Sequence, residues 1–232
     1  MVFGIIAEGK GDVVVIENVL WSITDDEDEI RVLRPEELAD ETDLQNQYKT
    51  MTADEFSSWT LVKEDCVKRE KFHLFLEKNP LEEERKIILH LDTAECELEG
   101  YGVTRPIRAK GQEQQYCTVL RQAVINQINT WLEGRYQGQL LYAICIEEME
   151  AWLLPLYEQK DSSTRPDPKR HLTRILDKKK ATDKKFKKQY ESKEKQGVRA
   201  LQTFLSKNYQ KKKHLTNALT YNQSLANFVE SI

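Results

Sequence analysis

Residues Phe3–Leu20 read FGIIAEGKGDVVVIENVL, and this stretch decides the fold. Val2–Ala7 is a short, unbroken apolar run that stops at Glu8-Gly9-Lys10-Gly11-Asp12, the signature of a buried strand closed by a turn. Val15, Ile16, Val19 and Leu20 then recur at helical spacing, with Asp12 placed to cap the helix. The chain therefore opens on a strand, a tight acidic turn and a helix.

The same alternation continues. Ile30–Leu33, closed by Pro35, reads as a second strand after the exposed acidic loop 25–29, and residues 36–60 read as loop and short helix. Cys66–Lys78 carries helical spacing through Val67, Phe72 and Phe75, with Asn79-Pro80 as its stop. Lys86–Leu91 reads as a central strand with Asp92 at its C-terminal end. Gln112–Leu132 reads as a long helix whose apolar face is Tyr116, Val119, Leu120, Ala123, Ile128 and Leu132. Leu140–Ile146 reads as a strand running into a helix headed by Glu147, Glu148 and Glu150. Strands alternating with helices predict an α/β domain over residues 1–159 with a largely parallel, helix-flanked sheet.

Beyond Lys160 the composition changes. Residues 160–213 hold 19 Lys and Arg against 6 Asp and Glu, whereas residues 1–159 hold 16 basic and 32 acidic ones. The net charge of −4 thus conceals an acidic front and a basic back. Arg165-Pro166-Asp167-Pro168 reads as a turn that starts a helix, Val198, Leu201, Phe204 and Leu205 form a narrow apolar stripe, and 222–232 reads as a short amphipathic helix. Residues 160–232 are therefore expected to form a lysine-rich helical extension packed on the main domain. No segment approaches the roughly 20 apolar residues of a membrane span, and no export signal is visible, so a cytoplasmic protein is expected. Cys66, Cys96, Cys117 and Cys145 are widely spaced without a CxxC pair and read as reduced thiols. The glycine turn lacks the Gly-Lys-Ser/Thr ending of a nucleotide P-loop, and no nucleophilic triad is apparent.

In an open parallel sheet, ligands bind outside the carboxyl ends of the strands. Three predicted strands deliver acids to that edge: Glu8 and Asp12, Asp92, and Glu148 with Glu150. Converging carboxylates repel one another unless a cation intervenes, and several hard oxygen donors suit Mg²⁺ or Mn²⁺. Gly9 and Gly11 offer positive backbone φ and close approach of a phosphate or metal to the chain. Helix capping is the competing reading for Asp12, and solvation at a helix start for Glu148 and Glu150. His90 shares the strand face of Asp92 and reads as a core histidine; the four histidines form no ligand spacing.

Glu8-Gly9-x-x-Asp12 after the first strand and Asp92 after a later one resemble the Toprim fold of topoisomerases, bacterial primases and overcoming-lysogenization-defect nucleases. Glu148-Met149-Glu150-Ala151, with Ser224 ahead of a helix carrying Phe228, resembles more closely a bacterial Toprim-clan group often encoded near defence genes. The resemblance implies a Toprim-like α/β fold and metal-dependent cleavage of nucleic-acid phosphodiesters in anti-phage defence, with an ATPase or another defence subunit as partner. Glu8 would be metal ligand and general base, Asp92 the principal ligand, and Asp12, Glu148 and Glu150 would complete the shell. Ala94 stands where that pattern has its second aspartate, with Glu95 and Glu97 the nearest acids. The alternative is a non-catalytic Toprim-like regulatory or assembly subunit.

Lys178, Lys179, Lys180, Lys184, Lys185, Lys187 and Lys188 would then grip the backbone of DNA or RNA, with Phe186, Tyr190 and Tyr209 either stacking on bases or anchoring helices. A solvated lysine face, or pairing of the basic segment with the acidic one, would account for the same residues.

Overall fold

The computed structural model describes residues 1–25, 27–35, 58–77 and 84–232. Four strands, β1 (Val2–Ile6), β2 (Glu29–Arg34), β3 (Arg85–Asp92) and β4 (Leu140–Cys145), form one sheet in the order β2-β1-β3-β4. Every pairing is parallel. Strands of a parallel sheet are covered on both faces, which is why β1 is buried along its whole length and reads as an unbroken apolar run. The α/β class with a parallel, helix-flanked sheet is as the sequence predicts.

Side chains alternate across the sheet. Phe3, Ile5, Ala7 and Ile88 face α1 (Lys10–Leu20), whereas Val2, Ile6, Ile87, Leu89 and Leu91 face α2 (Ser58–Lys68) and the long helix after β3 (Glu113–Trp131). Gly4 sits where no side chain fits: a Cβ there would lie 2.6 Å from Leu33 Cδ1 and 2.9 Å from Phe75 Cε1.

The helix expected over Cys66–Lys78 is divided. α2 begins at Ser58, Arg69 takes a left-handed φ of 61°, and α3 (Glu70–Phe72) runs into a π-helical stretch, His73–Glu77. The break lets Phe72 and Phe75 reach the sheet face already occupied by Trp59, Val62 and Cys66. Because that buried row fixes the face of α2, Val67 falls one residue off it and is exposed. Val119 of α4 (Glu113–Trp131) is exposed for the same reason, the buried row being Tyr116, Leu120, Val124 and Ile128. The expectations for residues 36–57, for Lys78 and for the Asn79-Pro80 stop lie outside the described residues.

After β4 a turn leads to α5 (Glu150–Leu153) and a 3-10 turn, Leu154–Leu156. Then follow α6 (Pro168–Thr182), α7 (Lys184–Glu194), α8 (Val198–Ser206), α9 (Lys212–Leu219) and α10 (Gln223–Val229). Leu172, Leu176, Phe186, Leu205, Leu215 and Phe228 from these helices, with Tyr209 from the 3-10 turn Lys207–Gln210, join the core on the α1 face of the sheet. Val198, expected in the apolar stripe, is exposed. Asn18 of α1 is buried, accepts from Gln210 Nε2 at 2.8 Å and donates to Ser206 Oγ at 2.6 Å. Trp152 donates through Nε1 to Ser224 Oγ at 2.7 Å and stacks on Phe228 with ring centroids 5.5 Å apart. The Ser224–Phe228 motif thus anchors the last helix to α5. Among the described residues no helix is long and apolar enough to cross a membrane.

Candidate metal centre at the strand ends

The sheet order sets the site. The chain leaves β1 through α1 towards β2 on one side, and leaves β3 towards β4 on the other. The connection therefore reverses direction between β1 and β3, the switch point where doubly wound sheets open their ligand crevice. Glu8 follows β1 and Asp92 ends β3, so the two acids flank that point.

They are tied together there. Glu8 Oε1 accepts from the Asp92 backbone N–H at 2.7 Å, and its Oε2 accepts from Ser58 Oγ at 2.5 Å. Glu8, Ser58, Asp92, Ala94, Glu95, Glu148 and Lys169 line one cleft of about 240 Å³. Burial, and then the charge of Asp92, push the Glu8 carboxyl up to about 7. Asp92 is raised well above the ordinary range, first by burial and then by Glu150. Glu150 is raised by burial as well. Repulsion so resolved, by protons in the absence of anything else, is the electrostatics expected of carboxylates shaped to receive a cation.

Asp12 does not cap α1. Gly9 holds the cap position and has no side chain with which to bond the first amides of the helix. The Asp12 carboxylate instead turns inward towards His90, with Oδ2 3.9 Å from Nδ1, and burial raises its pKa to about 7. The glycines also differ from expectation. Gly9 is extended, with φ −136°, and Gly11 is helical; neither has positive φ. A Cβ on Gly11 would lie 3.0 Å from Gln202 Cγ and 3.2 Å from Val198 Cγ1, so its missing side chain makes room for α8 rather than for a ligand.

Glu148 and Glu150 do not head a long helix. Glu147 adopts a left-handed φ of 67°, and α5 starts only at Glu150. Glu148 faces the cleft and its Oε2 lies 3.4 Å from the Lys169 backbone nitrogen, at the start of α6. The left-handed turn is held by Arg105, whose Nη1 donates to both Glu147 oxygens, at 2.9 and 3.0 Å, and to Tyr116 Oη at 3.2 Å. Its Nη2 donates to the carbonyls of Thr93 and Ala94. Thr93 completes the tie: its N–H donates to the Glu147 carbonyl at 3.0 Å, and its Oγ1 accepts from the Glu147 N–H at 2.8 Å. Arg105 thereby locks the loop after β3 to the turn after β4 and fixes where Asp92 and Glu148 stand.

Of the two acids nearest Ala94, Glu95 lines the cleft, while Glu97 is drawn to Arg105, with Oε2 3.5 Å from Nε. His90 is fully buried, and its Nε2 lies 3.3 Å from Asp92 Oδ1. Both ring nitrogens and Asp92 Oδ1 have no hydrogen-bond partner among the described residues. One donor atom each from His90, Asp92 and Cys145 lies within 4.8 Å of the others. Orphaned donors of this kind, beside carboxylates raised by burial, fit a divalent cation.

No family model, curated protein or solved structure matches the chain. The Toprim resemblance accordingly rests on the Glu8 and Glu148 motifs of the sequence.

The predicted lysines divide. Lys178, Lys179, Lys184, Lys185, Lys187 and Lys188 are exposed on α6 and α7, and Lys180 is half-buried. Lys179 lies over Phe186 at 4.6 Å, Lys180 over Tyr190 at 4.4 Å and 2.8 Å from Asp177, and Lys187 lies 3.7 Å from Glu191. Phe186 and Tyr209 are buried, the Tyr209 hydroxyl donating to the Trp152 carbonyl, so both anchor helices and are closed to bases. Between α7 and α8 lies a groove of about 1000 Å³ lined by Lys188, Lys193, Arg199 and Lys207 with no acid among its walls. Ser58 and Arg105 carry no sequence signal; each sits in an aperiodic stretch and earns its place only through partners 50 and 42 residues away.

Proposed function

We propose that this chain is a metal-dependent nuclease that hydrolyses nucleic-acid phosphodiesters, with Mg²⁺ or Mn²⁺ held at the strand-end cleft. The observation that carries the reading is the meeting of Glu8 and Asp92, from adjacent strands at the sheet's switch point, in one cleft with Glu148. A divalent ion bound there would orient a phosphodiester, lower the pKa of water and stabilise the leaving oxygen. Glu8 and Asp92 would hold it, with Glu148 reaching from the far wall and Glu150 behind. Glu8, at about 7, titrates in the range of a general base and would accept the proton of the attacking water. Lys169 would face the non-bridging phosphate oxygens from the cleft wall. The exposed lysines of α6 and α7 would hold the strand through its phosphates, without sequence preference.

The cytoplasmic setting, the place in anti-phage defence and an ATPase or other defence subunit as partner are proposed on the family resemblance alone. A second reading, a non-catalytic regulatory or assembly subunit, is favoured by one observation: Ala94 presents a methyl group on the cleft wall. Incubation of labelled DNA and RNA with protein and Mn²⁺ separates the two, beside a Glu8→Gln, Asp92→Asn double variant. The nuclease reading expects cleavage by the wild type and none by the variant. A wild type without activity, or a variant as active as it, sends the assignment to the second reading.

A further inference from the structure

We infer that the chain holds a second kind of metal position, buried beneath the carboxylate cleft, in which His90, Asp92 and Cys145 bind a borderline transition-metal ion of the Zn²⁺ or Co²⁺ class. The proposal goes beyond the nuclease reading and shares only Asp92 with it.

The register builds the position. Asp92 and Cys145 are direct neighbours across the β3–β4 pairing, and His90, two residues before Asp92, projects from the same sheet face. One imidazole, one carboxylate and one thiol thus meet on the face that also carries Ala143 and Met149. His90 and Cys145 are fully inaccessible to solvent, so neither can satisfy its polar atoms with bulk water. A core histidine ordinarily donates from one nitrogen and accepts at the other. Here neither nitrogen has a hydrogen-bond partner among the described residues, and Asp92 Oδ1 has none either. Three unsatisfied atoms side by side in a closed core mark an ion or an ordered water.

The spacing favours an ion. His90 Nε2 and Asp92 Oδ1 are 3.3 Å apart yet form no hydrogen bond. Donors bonded at 2.0–2.1 Å to a tetrahedral ion stand about 3.3 Å from one another, the edge of that tetrahedron. Cys145 Sγ, whose proton points to Met149 Sδ at 3.8 Å, is the third donor. Binding exchanges the thiol proton for the ion: the proton leaves to solvent and the thiolate takes its place as ligand. Mixed nitrogen, oxygen and sulfur donors select Zn²⁺ and Co²⁺ over Mg²⁺, which demands oxygen. Asp12 then has a role that a carboxylate shell does not give it. Its carboxylate stands 3.9 Å from His90 Nδ1, where its charge would steady a ligating imidazole from behind. Three protein ligands leave the fourth position of a tetrahedral ion to a water.

X-ray absorption of the reduced, full-length wild type loaded with one equivalent of Co²⁺ or Zn²⁺ tests this without any substitution. The expected shell contains one sulfur at about 2.3 Å and one imidazole nitrogen at about 2.0 Å. A shell of oxygen alone, or no uptake of either ion, overturns the inference. With Co²⁺, the thiolate charge-transfer band should vanish in Cys145→Ser and persist in Glu8→Gln, each variant checked for native circular dichroism. A band that survives in folded Cys145→Ser places the sulfur elsewhere and overturns the assignment. The nuclease reading fails separately: an oxygen-only shell with Mn²⁺-dependent cleavage sinks this site and leaves that reading, whereas a sulfur-containing shell without cleavage does the reverse.

Discussion

The metal-free chain should lose stability as the pH rises from 5 to 8. Glu8 has a folded pKa of about 7 against an ordinary 4.5. Between those values the folded protein keeps a proton that the unfolded chain has released. Stability from this group is therefore fully present below about pH 4.5 and is lost as the pH climbs through 7. From pH 5 to 7 the loss from Glu8, at 1.36 kcal/mol for each full pH unit over which the two states differ by a proton, is roughly 2 kcal/mol. Asp12, also raised to about 7, acts in the same direction over the same window. For a chain of this length, about 2 kcal/mol corresponds to a fall in Tm of about 4–8 °C. Thermal unfolding in EDTA, followed by circular dichroism at half-unit pH steps, measures it. Glu8→Gln should flatten the slope, and Mn²⁺ at a hundredfold its Kd should restore about 2.7 kcal/mol at pH 8. A wild-type Tm that is level or rising from pH 5 to 8, or a Glu8→Gln slope equal to it, refutes the electrostatic account of the cleft.

Three further outcomes are expected. Gly4→Ala forces Leu33 and Phe75 aside and should cost about 1–3 kcal/mol by urea denaturation. Arg105→Ala leaves the Glu147 carboxylate, only 15% exposed, without its partner and should cost about 3 kcal/mol, with the Glu147 turn losing hydrogen-exchange protection first. Reversing the charges of Lys178, Lys184, Lys185 and Lys188 together should weaken nucleic-acid binding and flatten its salt dependence by a slope of about 3–4 in log K against log salt, read by fluorescence anisotropy in EDTA.

The elements that residue pattern made plain were those whose burial is continuous. β1 and β3 are covered on both faces, so their apolar runs announced them, and the acids that follow marked the strand ends. Periodicity also located α4 to within a residue at each end. It failed where the backbone turns left-handed at non-glycine residues. Arg69 and Glu147 both do so, held by tertiary partners, and each displaced a predicted helix. For Asp12 and Gly11 local rules favour capping and turn flexibility, whereas their surroundings come from β3 and α8, far along the chain. Arg105 was invisible for the same reason: a lone arginine in an irregular loop shows its importance only when Glu147, Thr93 and Ala94 are beside it.

Isothermal titration of Mn²⁺ into the metal-free protein addresses the core of the account, that acids from separate strands form one cation site. The wild type should show a saturable site, and the folded Glu8→Gln, Asp92→Asn double variant should show none. A folded wild type that takes up no Mn²⁺, or a double variant that binds as the wild type does, contradicts it.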